Sequence, residues 1–122
     1  MISRLKTTNP DLAEKINSAA LSDAKAIVMA ILAGKLTTLP ERAAKLLPES
    51  FEVQSSKVTQ HQINALDDRY FNAEEINDAE EATALFIAAR LLAAVMLWQT
   101  ATNHFELCEA AYEADFAADQ YR

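Results

Sequence analysis

A chain of 122 residues with 51% hydrophobic side chains is long enough to bury a core without disulfide staples and too apolar to remain disordered. One glycine and three prolines are too few turn formers for a β-rich fold, whereas about a fifth of the residues are alanine, the strongest helix former. A single cysteine excludes an internal disulfide, and a net charge of −7 disfavours nucleic acid as a partner.

Asn9-Pro10-Asp11 opens the first expected helix: Asn9 suits the N-cap, Pro10 the first turn, and Asp11 the positive end of the helix dipole. Leu12, Ile16 and Ala19 or Ala20 form its apolar stripe. Ser22 is placed to cap a second helix, unless the first continues through it. Residues 24–33 then read as a buried helix carrying Ile27, Val28, Ile31 and Leu32. Gly34, the only glycine, is expected at the left-handed residue that closes this helix. Thr37 to Glu41 start a short helix that ends before Pro48, with Leu39, Ala43, Leu46 and Leu47 inward. In residues 49–57, Phe51 and Val53 alternate with Glu52 and Gln54, which fits a strand-like turn or a loop anchored by Phe51.

Thr59 to Phe71 reads as a helix with Ile63, Leu66 and Tyr70 on one face. Asn72 or Asn77 starts the long C-terminal helical region, and Asn77-Asp78-Ala79-Glu80 resembles a capping box with Asn in place of Ser or Thr. Leu85, Phe86, Ala89, Leu92, Ala93, Met96 and Leu97 surround most of the next helix, which places it at the centre of the fold. Its apolar run from Ala82 to Trp98 is interrupted by Arg90 and falls short of the ~20 residues of a membrane span. Thr100, Thr102 and Asn103 mark a break. The last helix is expected to turn Phe105, Cys108, Tyr112 and Phe116 inward, and the tail after Asp119 to fray. The expectation is a single all-α domain over residues 1–122, a compact bundle of about five or six helices with a long, apolar C-terminal helix as hub.

Charge is divided along the chain. Every lysine lies at or before Lys57, and beyond Asp68 the only bases are Arg69, Arg90 and Arg122. Residues 1–66 carry 8 basic and 6 acidic side chains, and residues 67–122 carry 3 and 12, so +2 stands against −9. Glu106, Glu109 and Glu113 share one face of the last helix, with no lysine on that helix to neutralise them. The bland reading is a solvated polar face. Asp67, Asp68, Glu74, Glu75, Glu80 and Glu81 extend the same sign, however, and mutual repulsion costs stability. These nine carboxylates are the expected contact surface for a basic protein partner.

No catalytic or metal motif is present. His61 and His104 lack a glutamate three residues before them, since those positions are Val58 and Ala101. Cys108 has acidic neighbours, the wrong sign for a reactive thiolate, and reads as core. Arg90 reads as structural, either paired with a carboxylate inside the bundle or with its stem buried and its head reaching solvent, with an anion site as the weaker alternative. Trp98, Phe105 and Tyr112 recur every seven residues, as core or as a helix-partner stripe.

The features fit a small, non-enzymatic, protein-binding inhibitor of the immunity-protein or antitoxin kind, neutralising a basic toxin such as a nuclease. The fit is one of character and no motif carries it. The alternative is a homo-oligomeric or adaptor helical module, homodimers included. A third reading is a ligand-binding protein or enzyme using Arg90 and a histidine. No cofactor, metal, nucleic acid or membrane is expected. The first six residues lack a secretory apolar run, so the expected location is cytoplasmic.

Overall fold

The computed structural model describes residues 2–121. Within them the chain forms seven α-helices and no strand: α1 (Arg4–Thr8), α2 (Pro10–Ser18), α3 (Leu21–Thr37), α4 (Glu41–Ala44), α5 (Gln60–Glu75), α6 (Ala79–Thr100) and α7 (His104–Ala118). A 3-10 turn, Asp119–Tyr121, follows where fraying was expected. Arg122 lies outside the described residues.

Local chemistry sets most boundaries. The Asn9 side chain accepts from the Leu12 amide at 3.3 Å and starts α2. Thr59 and Gln62 form a reciprocal capping box at α5. Asp78, rather than Asn77, caps α6 by accepting from the Glu81 amide at 3.1 Å. Asn77 has a different task. Its φ of 60° places it in the left-handed region, and the bonds Asn77 N to Glu74 O and Asp78 N to Ala73 O close α5 in a Schellman motif. Asn103 caps α7 by accepting from the Glu106 amide at 2.9 Å.

Two expectations fail at helix ends. Ser22 caps nothing: Ala19 and Ala20 are extended, and α3 starts at Leu21 without a side-chain cap. His104 Nε2 bonds the Ala19 carbonyl at 2.8 Å and holds that break against α7. Gly34 is not left-handed but lies inside α3, which runs on to Thr37. The Thr37 hydroxyl takes up the Gly34 carbonyl at 2.8 Å in the last turn. The short α1 was not foreseen. Five residues do not make a stable helix alone. Leu5, fully buried, supplies about 1.5–3 kcal/mol of apolar burial that docks α1 on the bundle.

The hub is α6, packed between α5 and α7, with α3 also against α7. It is long and apolar enough to cross a membrane by composition, yet 61% of that stretch is buried inside the protein. The buried faces of α6 and α7 are rich in small side chains. Ala88, Ala89 and Ala94 on α6, and Ala110, Ala111 and Ala114 on α7, are buried together with Leu91, Leu92 and Leu107. This corrects the inward face of α7. Cys108 is buried as expected, but Phe105 and Tyr112 are only partly covered and Phe116 is exposed. Trp98 is core, its indole N–H donating to the Lys25 carbonyl at 2.8 Å. A second, smaller cluster of Ala43, Ala84 and Ile87 fixes α4 to α6.

Residues 49–59 form a loop, with Val53 and Val58 buried and Phe51 partly covered. One α6 side chain ties it down. Gln99 accepts from the Val58 amide at 3.2 Å and donates to the carbonyls of Val53, at 3.1 Å, and Ser56.

Candidate functional site

The expected acidic surface is largely answered from within the chain. Glu109 and Glu113 are not solvated: each side chain is 14% exposed, and both hold Arg4. Arg4 Nε and Nη2 donate to Glu109 Oε2 at 2.9 and 2.6 Å, and Nη2 donates to Glu113 Oε1 at 3.0 Å. Hydrogen bonding to Glu109 raises the Arg4 guanidinium pKa; burial opposes this, and Glu113 adds to it. Glu106 turns back on the start of α7 and accepts from the Thr102 amide, the Thr102 hydroxyl and the Asn103 amide group. The three glutamates are therefore not a free stripe, which corrects the sequence reading.

Other members of the set are also engaged. Arg42 bridges Glu80 at 2.7 Å and Glu81 at 3.0 Å, and Arg69 reaches Glu81 at 3.2 Å. Asp67 pairs with Arg90 at 3.1 Å. Arg90 is thus paired as expected, though its side chain is 26% exposed and Asp67 36% exposed, at the edge of the bundle rather than inside it. Glu74 accepts from the Tyr70 hydroxyl at 2.6 Å, and this bond to a carboxylate raises the phenol pKa. Asp68 and Glu75 are exposed and have no cationic partner among the described residues.

The structure brings together a feature that the sequence reading missed. Tyr70 and Phe71 on α5, Phe86 on α6, and Tyr112 and Phe116 on α7 form a continuous aromatic cluster. Ring centroids lie 5.5 Å apart for Tyr70–Phe71, 5.8 Å for Tyr70–Phe86, 5.7 Å for Phe86–Phe116 and 6.2 Å for Tyr112–Phe116. These are ordinary spacings for interacting rings. The cluster lines an open cleft of about 400 Å³, with Arg4 and Glu113 on one margin and Arg90 and Asp67 on another. Phe71 is 65% exposed, and Ile76 at the end of α5 is 75% exposed. Asp68, Phe71 and Glu75 follow at spacings of three and four and share the outer face of α5. The available signals were Phe71, which falls off the Ile63–Leu66–Tyr70 stripe, and the i, i+4 pair Tyr112–Phe116.

Chemistry-bearing groups do not converge elsewhere. No cluster of three or more His, Cys, Asp or Glu side chains able to hold a metal occurs among the described residues. His61 is exposed on α5, and His104 is committed to the Ala19 carbonyl. Cys108 is fully buried, and its burial raises the thiol pKa, with Ser3 opposing and Glu109 adding to the rise.

Compared with protein-family models, curated proteins and solved structures, the chain shows no match.

Proposed function

We propose that this chain is a non-enzymatic, cytoplasmic protein-binding module that engages a basic protein partner, in the manner of an immunity protein or antitoxin acting on a toxin. Its contact surface is the aromatic cleft between α5 and α7 and the Asp68–Phe71–Glu75 ridge beside it. The observation that carries this reading is the juxtaposition of exposed aromatic rings with carboxylates that lack a cationic partner among the described residues. Aromatic side chains concentrate binding energy at interfaces, and unmatched charge at the rim steers a partner of opposite sign. The same ridge disfavours a symmetric dimer across this face, because Asp68 and Glu75 would meet their own copies. Compared with the sequence expectation, the contact moves from the α7 glutamates to the outer face of α5.

The test is a photo-reactive phenylalanine analogue at position 71 in the native host, with the same group at position 61 as control. The two sites lie on one helix, about 15 Å apart at 1.5 Å per residue. Position 71 should capture one basic protein that position 61 does not. That protein, produced separately, should bind with an on-rate that falls about tenfold between low and high salt, and Phe71→Ser should weaken binding about tenfold or more. Capture of a second copy of this chain, equal capture at both positions, or an acidic partner would each overturn the reading.

A further inference from the structure

Arg4 occupies an unusual position. Its guanidinium lies 4.2 Å from the centroid of the Tyr112 ring while donating to Glu109 and Glu113. Positions 109, 112 and 113 fall on one face of α7, so a single helix presents two carboxylates and an aromatic face to one planar cation. We propose that Glu109, Tyr112 and Glu113 form a guanidinium-recognition subsite at the margin of the cleft, filled by Arg4 in the free protein and open to an arginine of the basic partner in its place.

The chemistry selects arginine over lysine. Two nitrogens of Arg4, Nε and Nη2, converge on Glu109 Oε2, and Nη2 also reaches Glu113. A planar, multidentate donor that stacks on a ring meets this geometry, and a compact ammonium does not.

Exposure is unequal across the contact. The Arg4 side chain is 55% exposed, against 14% for each carboxylate. The guanidinium can therefore swing into water, leaving the two glutamates on the α7 face that presents them. Left without a cation, the subsite holds two like charges one helical turn apart, which favours a replacement cation.

The subsite is also preorganised without the Arg4 side chain. The Arg4 backbone N–H donates to Glu109 Oε1 at 3.2 Å, Leu5 anchors α1 in the core, and the Tyr112 ring stacks on Phe116 with an interplanar angle of 15°. Arg4, Tyr112 and Glu113 line the cleft together with Phe71 and Phe116, so a chain lying on those rings has its side chains within reach of the subsite. The exchange with a partner arginine rests on the proposed function above; the guanidinium subsite itself does not.

The test is Arg4→Ala titrated with methylguanidinium, followed by backbone amide NMR. Shifts should centre on residues 109, 112 and 113, with an affinity about fivefold or more above that for methylammonium. Wild-type protein should respond about tenfold more weakly, because Arg4 fills the site. Adding Glu109→Gln to the variant should abolish the response, and adding Glu113→Gln should weaken it. The peptide acetyl-Gly-Arg-Gly-amide should reproduce the effect, and its lysine counterpart should not. If Arg4→Ala loses its helical circular dichroism, Arg4→Gln serves with the same readouts. Equal response in wild type and variant, or no preference over methylammonium, would overturn the subsite. The partner captured from position 71 should bind Arg4→Ala severalfold more tightly, and unchanged or weaker binding would overturn the exchange. Failure of that capture with methylguanidinium binding intact would remove the partner reading and leave the subsite standing.

Discussion

Gln99→Ala should be the most damaging single change outside the apolar core. Gln99 is the side chain through which α6 holds the loop before α5, with one accepted and two donated hydrogen bonds. All three are partly buried, and the Val58 amide and the Val53 and Ser56 carbonyls lose their Gln99 partner when the side chain is truncated. A net ~1 kcal/mol per bond, with a further penalty for each stranded group that water does not reach, gives roughly 2–4 kcal/mol. Against a total stability of about 5–15 kcal/mol this is a large fraction. For a chain of this size it lowers the melting temperature by roughly 10 °C. Gln99→Glu sharpens the argument. It keeps the acceptor for Val58 and the same shape, but turns an oxygen toward two carbonyl oxygens, so it should be no better than alanine. The assays are thermal unfolding by circular dichroism and native-state hydrogen exchange. The Val58 amide should lose protection before the amides of α6 do, because Val53 and Val58 then hold the loop by apolar contact alone. Melting temperatures within about 2 °C of the parent for both variants, with unchanged Val58 protection, would refute the reasoning.

Three further outcomes follow from the same structure. The triple change Glu106→Gln, Glu109→Gln, Glu113→Gln should lower stability by about 1–2 kcal/mol, because it removes the partners of a half-exposed Arg4 and weakens the start of α7; a rise in the urea midpoint would show a free, self-repelling stripe after all. Arg90→Met should cost only about 1 kcal/mol, since Asp67 reaches water when unpaired, and a loss above about 3 kcal/mol would place the pair deep in the core. Cys108 should resist thiol reagents at pH 8 until the protein unfolds. The fold prefers the neutral thiol and raises its pKa, so the native state retains a proton that the unfolded chain gives up. The Cys108 contribution should therefore be constant at low pH and decline as pH rises through the unfolded thiol value of about 8.5; comparing stability against pH with Cys108→Ala isolates it, and rapid labelling of native protein refutes it.

Where an element is set by neighbours in sequence, it was legible. Asn9 and Pro10 start α2 because the cap and the first turn are local chemistry, and α6 is the hub because apolar residues surround it. The misses have a common cause in long-range packing. Nothing near Leu5 signals a helix; burial against the rest of the bundle makes one. Gly34 permits a left-handed residue without requiring it, and α3 continues because the Thr37 hydroxyl reaches back within the last turn. On α7, weight given to large side chains pointed Phe105 and Phe116 inward. Close helix packing instead favours small ones, so Ala110, Ala111 and Ala114 take the buried face of α7 and the rings are displaced to its margins. That displacement helps form the aromatic cleft, which spans three helices, so the off-stripe Phe71 and the Tyr112–Phe116 pair are each only a fragment of it.

The charge division is a true feature of the sequence, but position along the chain does not say where charge lies in space. Arg4 is 105 residues from Glu109, and Arg42 is 38 from Glu80, yet each pair is in contact. Bases of the N-terminal half fold back onto acids of the C-terminal half: Lys35 meets Asp115 at 3.3 Å in the same way. Much of the acidic excess is thereby consumed in holding α1, α3 and α4 against α6 and α7. The acids left over are therefore more informative than the total. In the C-terminal half, Asp68 and Glu75 have no cation among the described residues, on the helix face that also carries Phe71, and Ile76 lies exposed at its end. Folding does not call for that combination: an exposed ring gains little in the monomer, and unpaired like charges on one face cost stability. A basic partner with an apolar centre would compensate both, burying the ring and neutralising the rim in one contact. The proposed binding face is therefore located on α5 by the acids of the C-terminal half that have no cationic partner among the described residues, together with the exposed Phe71, and not by the larger number on α7 that the fold uses.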